Sequence, residues 1–297
     1  MEKQNVPFIE WPTLLLLAVN YLAFALICSF YHQLPWWVLL VAGAYIVGLH
    51  GSLQHEVIHG HPTRNRLLNE ILVFPSLWLW LPFDLYRDSH LKHHIDDRIT
   101  DPFEDPESYF VAGAEWDSLN LLQRTCYWIR NTVPGRLLIG PAWACMTLVR
   151  QETARFLNAD FSHLNLWMKH VISAALVILW LRLFNIPLLE YIVLFAYPGL
   201  ALTMLRSFLE HQTDTMPARR TVVVKSGKVM GLLFLNNNLH ALHHEQPALP
   251  WYRLPQVWQQ NSREILNRNG GYFYRSYFQV IRKHLFSPKA HPRHPYI

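Results

Sequence analysis

The sequence predicts an all-α, multi-pass integral membrane protein: about four transmembrane helices in two hairpins, with a cytoplasmic histidine-rich cap. Three observations predict it. Of 297 residues, 51% are hydrophobic and 16% charged, against about 25% charged in soluble proteins. Residues 13–31 and 36–53 could each cross a bilayer without a charge. Finally, 10 and 13 of the 26 Lys and Arg gather in two segments, 55–165 and 206–297, outside the apolar spans.

The elements follow in chain order. Residues 13–31 are too long for a signal-peptide core and lack a small-residue cleavage site, so they read as a retained helix. Tyr31-His32-Gln33-Leu34-Pro35 makes an uncharged turn into the second span, 36–53. Two stretches of 13 residues, 71–83 and 137–149, contain proline and are too short to span, so they are expected to be re-entrant or interfacial. Residues 166–184 and 186–205 form the second predicted hairpin, with Lys169, Arg182 and Glu190 near the ends, where long side chains can reach the headgroups. The basic-residue asymmetry places both termini and the large polar segments in the cytoplasm. Residues 1–286 read as one membrane domain, and 287–297, rich in Pro and His, as a disordered tail. The net charge of +5 comes from basic residues mixed with acidic ones beside apolar spans, which fits membrane lipids and not nucleic acid. Cys28, Cys126 and Cys145 lie far apart, which argues against a disulfide framework or a thiolate zinc site.

The 17 histidines carry the chemistry. They form His55-x-x-x-His59, His90-x-x-His93-His94 and His240-x-x-His243-His244. Residues three or four apart share a helix face, so each box presents its imidazoles in one direction. All three lie at or beyond the cytoplasmic ends of predicted spans, where one site could collect them. Eight boxed histidines exceed the needs of one ion and suit two, although imidazole alone does not choose among iron, zinc, copper and nickel. Among nearby acids, Asp88, Asp96, Asp97, Asp101, Glu104, Asp105, Glu210 and Glu245 are candidates to orient a ligand ring by accepting its other N–H, with a solvated loop as the plain alternative for the acidic run. His50 and His61 turn away from the first box, and His32, His163, His170, His284, His291 and His294 have no partner at ligand spacing. Trp251 and Tyr252 are candidates for a substrate mouth.

The order of these three boxes around two apolar hairpins resembles the membrane fatty acid desaturase superfamily, over residues 13–255. The resemblance implies a centre of two iron ions and His211, in Arg206-Ser207-Phe208-Leu209-Glu210-His211, as a ninth ligand. It also implies an asparagine acting through water: Asn238 first, then Asn236 and Asn237. Expected with it are O2, a lipid or long-chain acyl substrate and desaturation. Glu56 stands where many relatives have Asp, which makes it a further candidate neighbour of the metal. With no His-Pro-Gly-Gly haem motif, electrons are expected from an external ferredoxin-like or cytochrome-like donor. Hydroxylases and ketolases of alkanes, lipids or carotenoids resemble the chain equally well, and only the resemblance favours desaturation. Two rivals come from other classes. His55-Glu56-x-x-His59 also fits an intramembrane zinc metalloprotease with Glu56 as base, but that leaves the other boxes without a role. A metal transporter would place its ligands near the bilayer midplane.

Overall fold

The computed structural model describes residues 8–297. The chain is mostly helical: α1 (Trp11–Ser29), α2 (Trp36–Ile58), α3 (Arg66–Leu72), α4 (Phe83–His93), α5 (Gly113–Ser118), α6 (Leu121–Arg130), α7 (Val133–Leu138), α8 (Gly140–Leu157) and α9 (Leu164–Leu183). Then come α10 (Leu188–Tyr191), a π turn (Ile192–Ala196), α11 (Tyr197–Glu210), α12 (Lys228–Leu233), α13 (His240–Glu245), α14 (Leu254–Arg268) and α15 (Tyr277–His284). Two short strands, β1 (Val223–Val224) and β2 (Phe273–Tyr274), pair in parallel.

Four helices are long and apolar enough to cross a membrane: α1, α2, α9 and the continuous run Leu188–Glu210. An apolar helix is the stable form there because it satisfies its own backbone polar groups. The π turn in the last span precedes Pro198, which has no N–H to return to an earlier carbonyl, so the helix widens where that bond is lost. Both α2 and the last span run past the uncharged windows. The extension of α2 carries His55, and that of α11 ends at His211.

The two most intimate helices are α2 and α11. A Cβ on Gly199 would meet the Val47 side chain at 2.7 Å, and one on Gly48 would meet the Gly199 carbonyl at 3.3 Å. Small residues therefore let the backbones touch, which is how helices associate where no hydrophobic force separates protein from solvent. Around this seam Leu49, Leu53, Phe195, Phe208 and Leu209 are buried.

The segments expected to be interfacial differ from one another. Residues 73–82 form an irregular loop folded onto α2, with Leu77 and Trp78 buried and Ser76 N–H donating to Ser173 Oγ at 2.8 Å. Residues 137–149 lie in α7 and α8. Met146, Val149, Phe156 and Leu157 stay exposed along α8, an apolar face turned away from the core. The tail expected to be disordered, 287–297, is packed in the structure. Lys289 N–H donates to the Asn131 carbonyl at 2.8 Å and His294 N–H to Val111 at 2.7 Å, while Val111 N–H donates to Pro292 at 2.9 Å. Val111 and the Asn131 carbonyl supply these partners, which Pro and His composition cannot show. Residues 1–7 and the Asp96 side chain lie outside the described residues, and with them the expected place of the amino terminus.

Candidate metal centre

Each histidine box reaches the site at a helix end. His55 is in the last turn of α2 and His59 caps it; His90 and His93 close α4, and His94 caps it; His211 follows α11; His240, His243 and His244 ride on α13. The C-terminal ends of α2, α4 and α11 carry partial negative charge from unpaired carbonyls, a field that favours cations.

The histidines separate into two groups. His55, His59, His90 and His243 bring ligand atoms within 4.8 Å of one another, and so do His93, His211, His240 and His244. His94 lies between the groups, its Nε2 3.0 Å from His90 Nε2 and 3.1 Å from His243 Nε2, with its ring stacked 4.3 Å from that of His244. Other Nε2 pairs are as close: His93 to His211 at 2.9 Å, His211 to His240 at 3.0 Å and His59 to His90 at 3.1 Å. Two nitrogens at right angles on an ion with bonds of about 2.1 Å lie about 3.0 Å apart. The spacing therefore fits adjacent coordination positions on two ions.

Protonation states agree. Burial, reinforced by neighbouring imidazoles, pushes His59, His90, His94, His211, His240, His243 and His244 below the usual histidine range. Neutral imidazole is the ligand form. His93 goes the other way: burial opposes its charge, but Glu107, Asp105 and Glu210 outweigh it and raise the value to about 9.

Carboxylates aim the rings. Asp105 Oδ1 accepts from His93 Nδ1 at 2.8 Å and Glu107 Oε1 from His90 Nδ1 at 3.0 Å. This leaves both Nε2 atoms facing the site. Glu210 lies 3.5 Å from His240 Nδ1 and pairs with Arg206 at 3.1 Å. The other candidates sit elsewhere. Exposed Asp88 pairs with Arg87, Glu245 with Arg268, Glu104 with Arg98, and Asp101 caps the turn at Phe103. Glu56 accepts from Trp251 N–H at 2.9 Å and faces His61, which in turn holds Glu10 at 2.5 Å; this buried cluster is separate from the two histidine groups because Glu56 falls on another side of α2 from His55 and His59. The general-base position that the protease reading requires is therefore not where Glu56 sits. His50 likewise turns away, to Tyr21 at 3.1 Å. Trp251 donates its indole N–H to Thr13 at 3.1 Å.

Asn238 donates its amide to the Val224 carbonyl of β1 at 2.6 Å, and its Oδ1 is buried without a hydrogen-bond partner. The asparagine that touches the histidines is Asn237, 3.3 Å from His55 Nε2 and 3.1 Å from His240 Nδ1, so it links the two groups. Leu235 and Asn236 both take positive φ, and that bend sets which asparagine faces inward. Glu107 was missed. A signal existed: Asp105-Pro106-Glu107 is a turn with two carboxylates close in sequence after the second box, and its Asp105 side chain accepts from the Glu107 N–H at 2.9 Å.

Residues 31–277, which contain all three boxes and His211, match the fatty acid desaturase family. The chain belongs to the fatty acid desaturase family. Comparison with curated proteins gives no match. Family membership makes the histidine-rich centre the expected seat of an oxidoreductase reaction and supports iron over the other metals that imidazole accepts. The donor set agrees: imidazole nitrogens in two groups, carboxylates on outer N–H groups of His90 and His93, and no thiolate.

Proposed function

We propose that this desaturase-family protein is an O2-dependent membrane enzyme that introduces a double bond into a long-chain acyl group, with electrons from a separate ferredoxin-like or cytochrome-like donor. The observation that carries the reading is the division of the histidines into two four-membered groups, with His94 Nε2 beside the first and its ring stacked on His244 of the second. Iron bound there supplies the oxygen activation that breaking an unactivated C–H bond demands. Overall, two hydrogens leave the acyl chain, and with two electrons and two protons O2 becomes two waters.

The protein's own residues prepare that chemistry. His55, His59, His90 and His243 hold one position, and His93, His211, His240 and His244 the other. Asp105 and Glu107 fix the tautomers of His93 and His90, and Asn237 ties His55 to His240. Buried Leu53, Phe208 and Leu209 lie beside the histidines in sequence and help keep water out. Positive charge beyond the spans supports a cytoplasmic site, open to a soluble donor.

Expression in a host lacking relatives, followed by mass spectrometry of total lipids, tests the reaction. An acyl species lighter by two hydrogens is expected, dependent on His93 and His243. A species heavier by one oxygen would keep the centre and replace desaturation with hydroxylation.

A further inference from the structure

Beside the histidines lies a second group of charged residues that the proposed reaction does not use. Arg136, nine-tenths buried, stacks its guanidinium 4.9 Å from the centre of the Tyr109 ring. The ammonium of Lys289 donates to the Tyr109 hydroxyl and to the His211 carbonyl. Arg130, also buried, donates to the Tyr109 carbonyl at 3.0 Å. Three basic side chains thus line one tyrosine, next to a residue of the histidine centre, and burial together with Arg136 pushes the Lys289 pKa well down.

Their arrangement is built into the chain. At the corner between α6 and α7, a Cβ on Gly135 would fall 1.9 Å from the Ile129 carbonyl oxygen. Only glycine lets α7 fold back this tightly, and the fold brings Arg136 round to Arg130. The packed tail delivers Lys289.

No carboxylate pairs with them directly. Among the described residues, none of the three lies within ion-pair distance of an acid, and the Nε atoms of Arg130 and Arg136 have no hydrogen-bond partner. Glu210 pairs with Arg206 and acts on Arg136 and Lys289 only from beyond ion-pair distance, so one carboxylate faces three basic side chains. Buried like charges without a directly paired counter-ion are unfavourable, and a guanidinium is shaped for a two-oxygen acceptor. The surroundings say what brings that acceptor. Leu138 and Ile139, next to Arg136, are 70% and 40% exposed, and Leu121, Leu122 and Met146 continue the apolar surface.

We propose that Arg136, with Lys289 and Arg130, binds the oxyanion headgroup of an acyl amphiphile whose chain enters from the apolar face of α6 to α8. The inference rests on the acyl-substrate reading above and deepens it: Arg136 is a positioning residue that sets the headgroup end of the substrate beside His211. The headgroup chemistry is a carboxylate or a phosphate, and the experiment separates the two.

Equilibrium binding to the full-length protein in detergent tests this without turnover, so a hydroxylase and a desaturase give the same result. The probes are palmitate, hexadecyl phosphate, methyl palmitate, acetate and inorganic phosphate. Wild type is expected to bind one of the two charged amphiphiles about tenfold or more tighter than methyl palmitate, the size of one charge-assisted hydrogen bond. The tighter of the two identifies the headgroup. Arg136→Gln should collapse that preference while leaving methyl palmitate binding and iron content unchanged, Arg136→Lys should keep part of it, and exposed Arg263→Gln should keep all of it. Equal binding of charged and neutral amphiphiles by wild type overturns the proposal, even if Arg136→Gln fails to fold. Equal weakening of every probe by Arg136→Gln, or acetate or inorganic phosphate binding as tightly as the amphiphiles, also overturns it. None of these failures touches the redox assignment.

Discussion

His93 and Asp105, twelve residues apart, meet through Nδ1 and Oδ1 at 2.8 Å, both buried. The same carboxylate accepts from the backbone N–H of Thr100 at 2.8 Å and of Glu107 at 2.9 Å. Asp105 therefore closes the loop after the second histidine box as well as aiming one ring. Thr100 is held at φ 74°, a left-handed conformation that a β-branched residue takes only when its surroundings impose it.

Replacing that carboxylate should loosen the metal more than the fold. Asp105→Asn keeps the shape but no longer favours the His93 tautomer with Nε2 free, and loss of such an outer partner typically weakens metal binding about 10- to 100-fold. Iron retained after dialysis against graded chelator is the measurement. Asp88→Asn, altering an exposed partner of Arg87, should leave the curve unchanged. If both variants retain iron like wild type, Asp105 has no role in holding it.

Neighbours in sequence should govern different ions. His243 and His244 are adjacent on α13, yet successive helix residues point about 100° apart, and the two fall in different groups. His243→Ala and His244→Ala should each cost about one of two ions, and His94→Ala, whose Nε2 lies beside His90 and His243, should cost the same ion as His243→Ala. Chelation of wild type should lower Tm, since an ion at a hundredfold excess over Kd stabilises by about 2.7 kcal/mol. Elemental analysis showing one ion in wild type would refute the pairing.

How much of this was legible in the sequence depends on whether the signal was local. The four apolar spans could be read because hydropathy needs no tertiary partner, and the boxes because helix geometry fixes which side chains share a face. The family match later agreed with the resemblance that the boxes carry. The place of Glu56 and the contact made by Asn237 were illegible for a common reason: proximity in sequence is not proximity in space. One helical step turns Glu56 toward His61 and Trp251, and a two-residue left-handed bend at Leu235 and Asn236 brings Asn237 against His55 and His240. The packed tail was illegible because Pro and His composition cannot show that residues 109–113 have backbone groups to share.

The seam between α2 and α11 should not tolerate a single methyl group. In Gly199→Ala the new Cβ would lie 2.7 Å from Val47 and 3.2 Å from the Gly48 nitrogen, part of it backbone that cannot rotate away. Overpacking of this kind costs about 1–3 kcal/mol. Thermal unfolding in detergent should show a lower Tm, while Gly227→Ala, where no atom lies within 4 Å, should change little. Equal melting of the two variants would mean that the helices do not meet as described.

Single-cysteine reporters at Glu70, Asp117 and Gln256 test the orientation inferred from basic charge. All three positions should react with an impermeant reagent only from the cytoplasmic side, because one site has to collect boxes that flank them. Labelling of any one from outside would separate a box from the others and end the shared-site reading.

The carboxy-terminal segment should loosen in mild acid. Buried His294 packs against Phe110, with Asp101 and Arg220 as its charged neighbours. Burial, helped by Arg220 and opposed by Asp101, depresses its pKa from the usual value near 6.5. His284, beside the Tyr274 hydroxyl at 3.0 Å, is depressed by burial and by Lys283. A histidine whose pKa is lower in the folded state takes up its proton more readily when released. Its contribution to stability is therefore complete above about pH 6.5 and declines as pH falls below that value toward the folded pKa. Hydrogen exchange should show this at the Lys289 and His294 amides, which are bonded to Asn131 and Val111. Their protection factors, corrected for the intrinsic pH dependence of exchange, should fall between pH 7.5 and 5.5, and less so in His294→Gln. Because Lys289 belongs to the same segment, preference for a charged amphiphile over a neutral one should weaken in parallel. Protection that is constant across that range would show that His294 does not hold the segment in place.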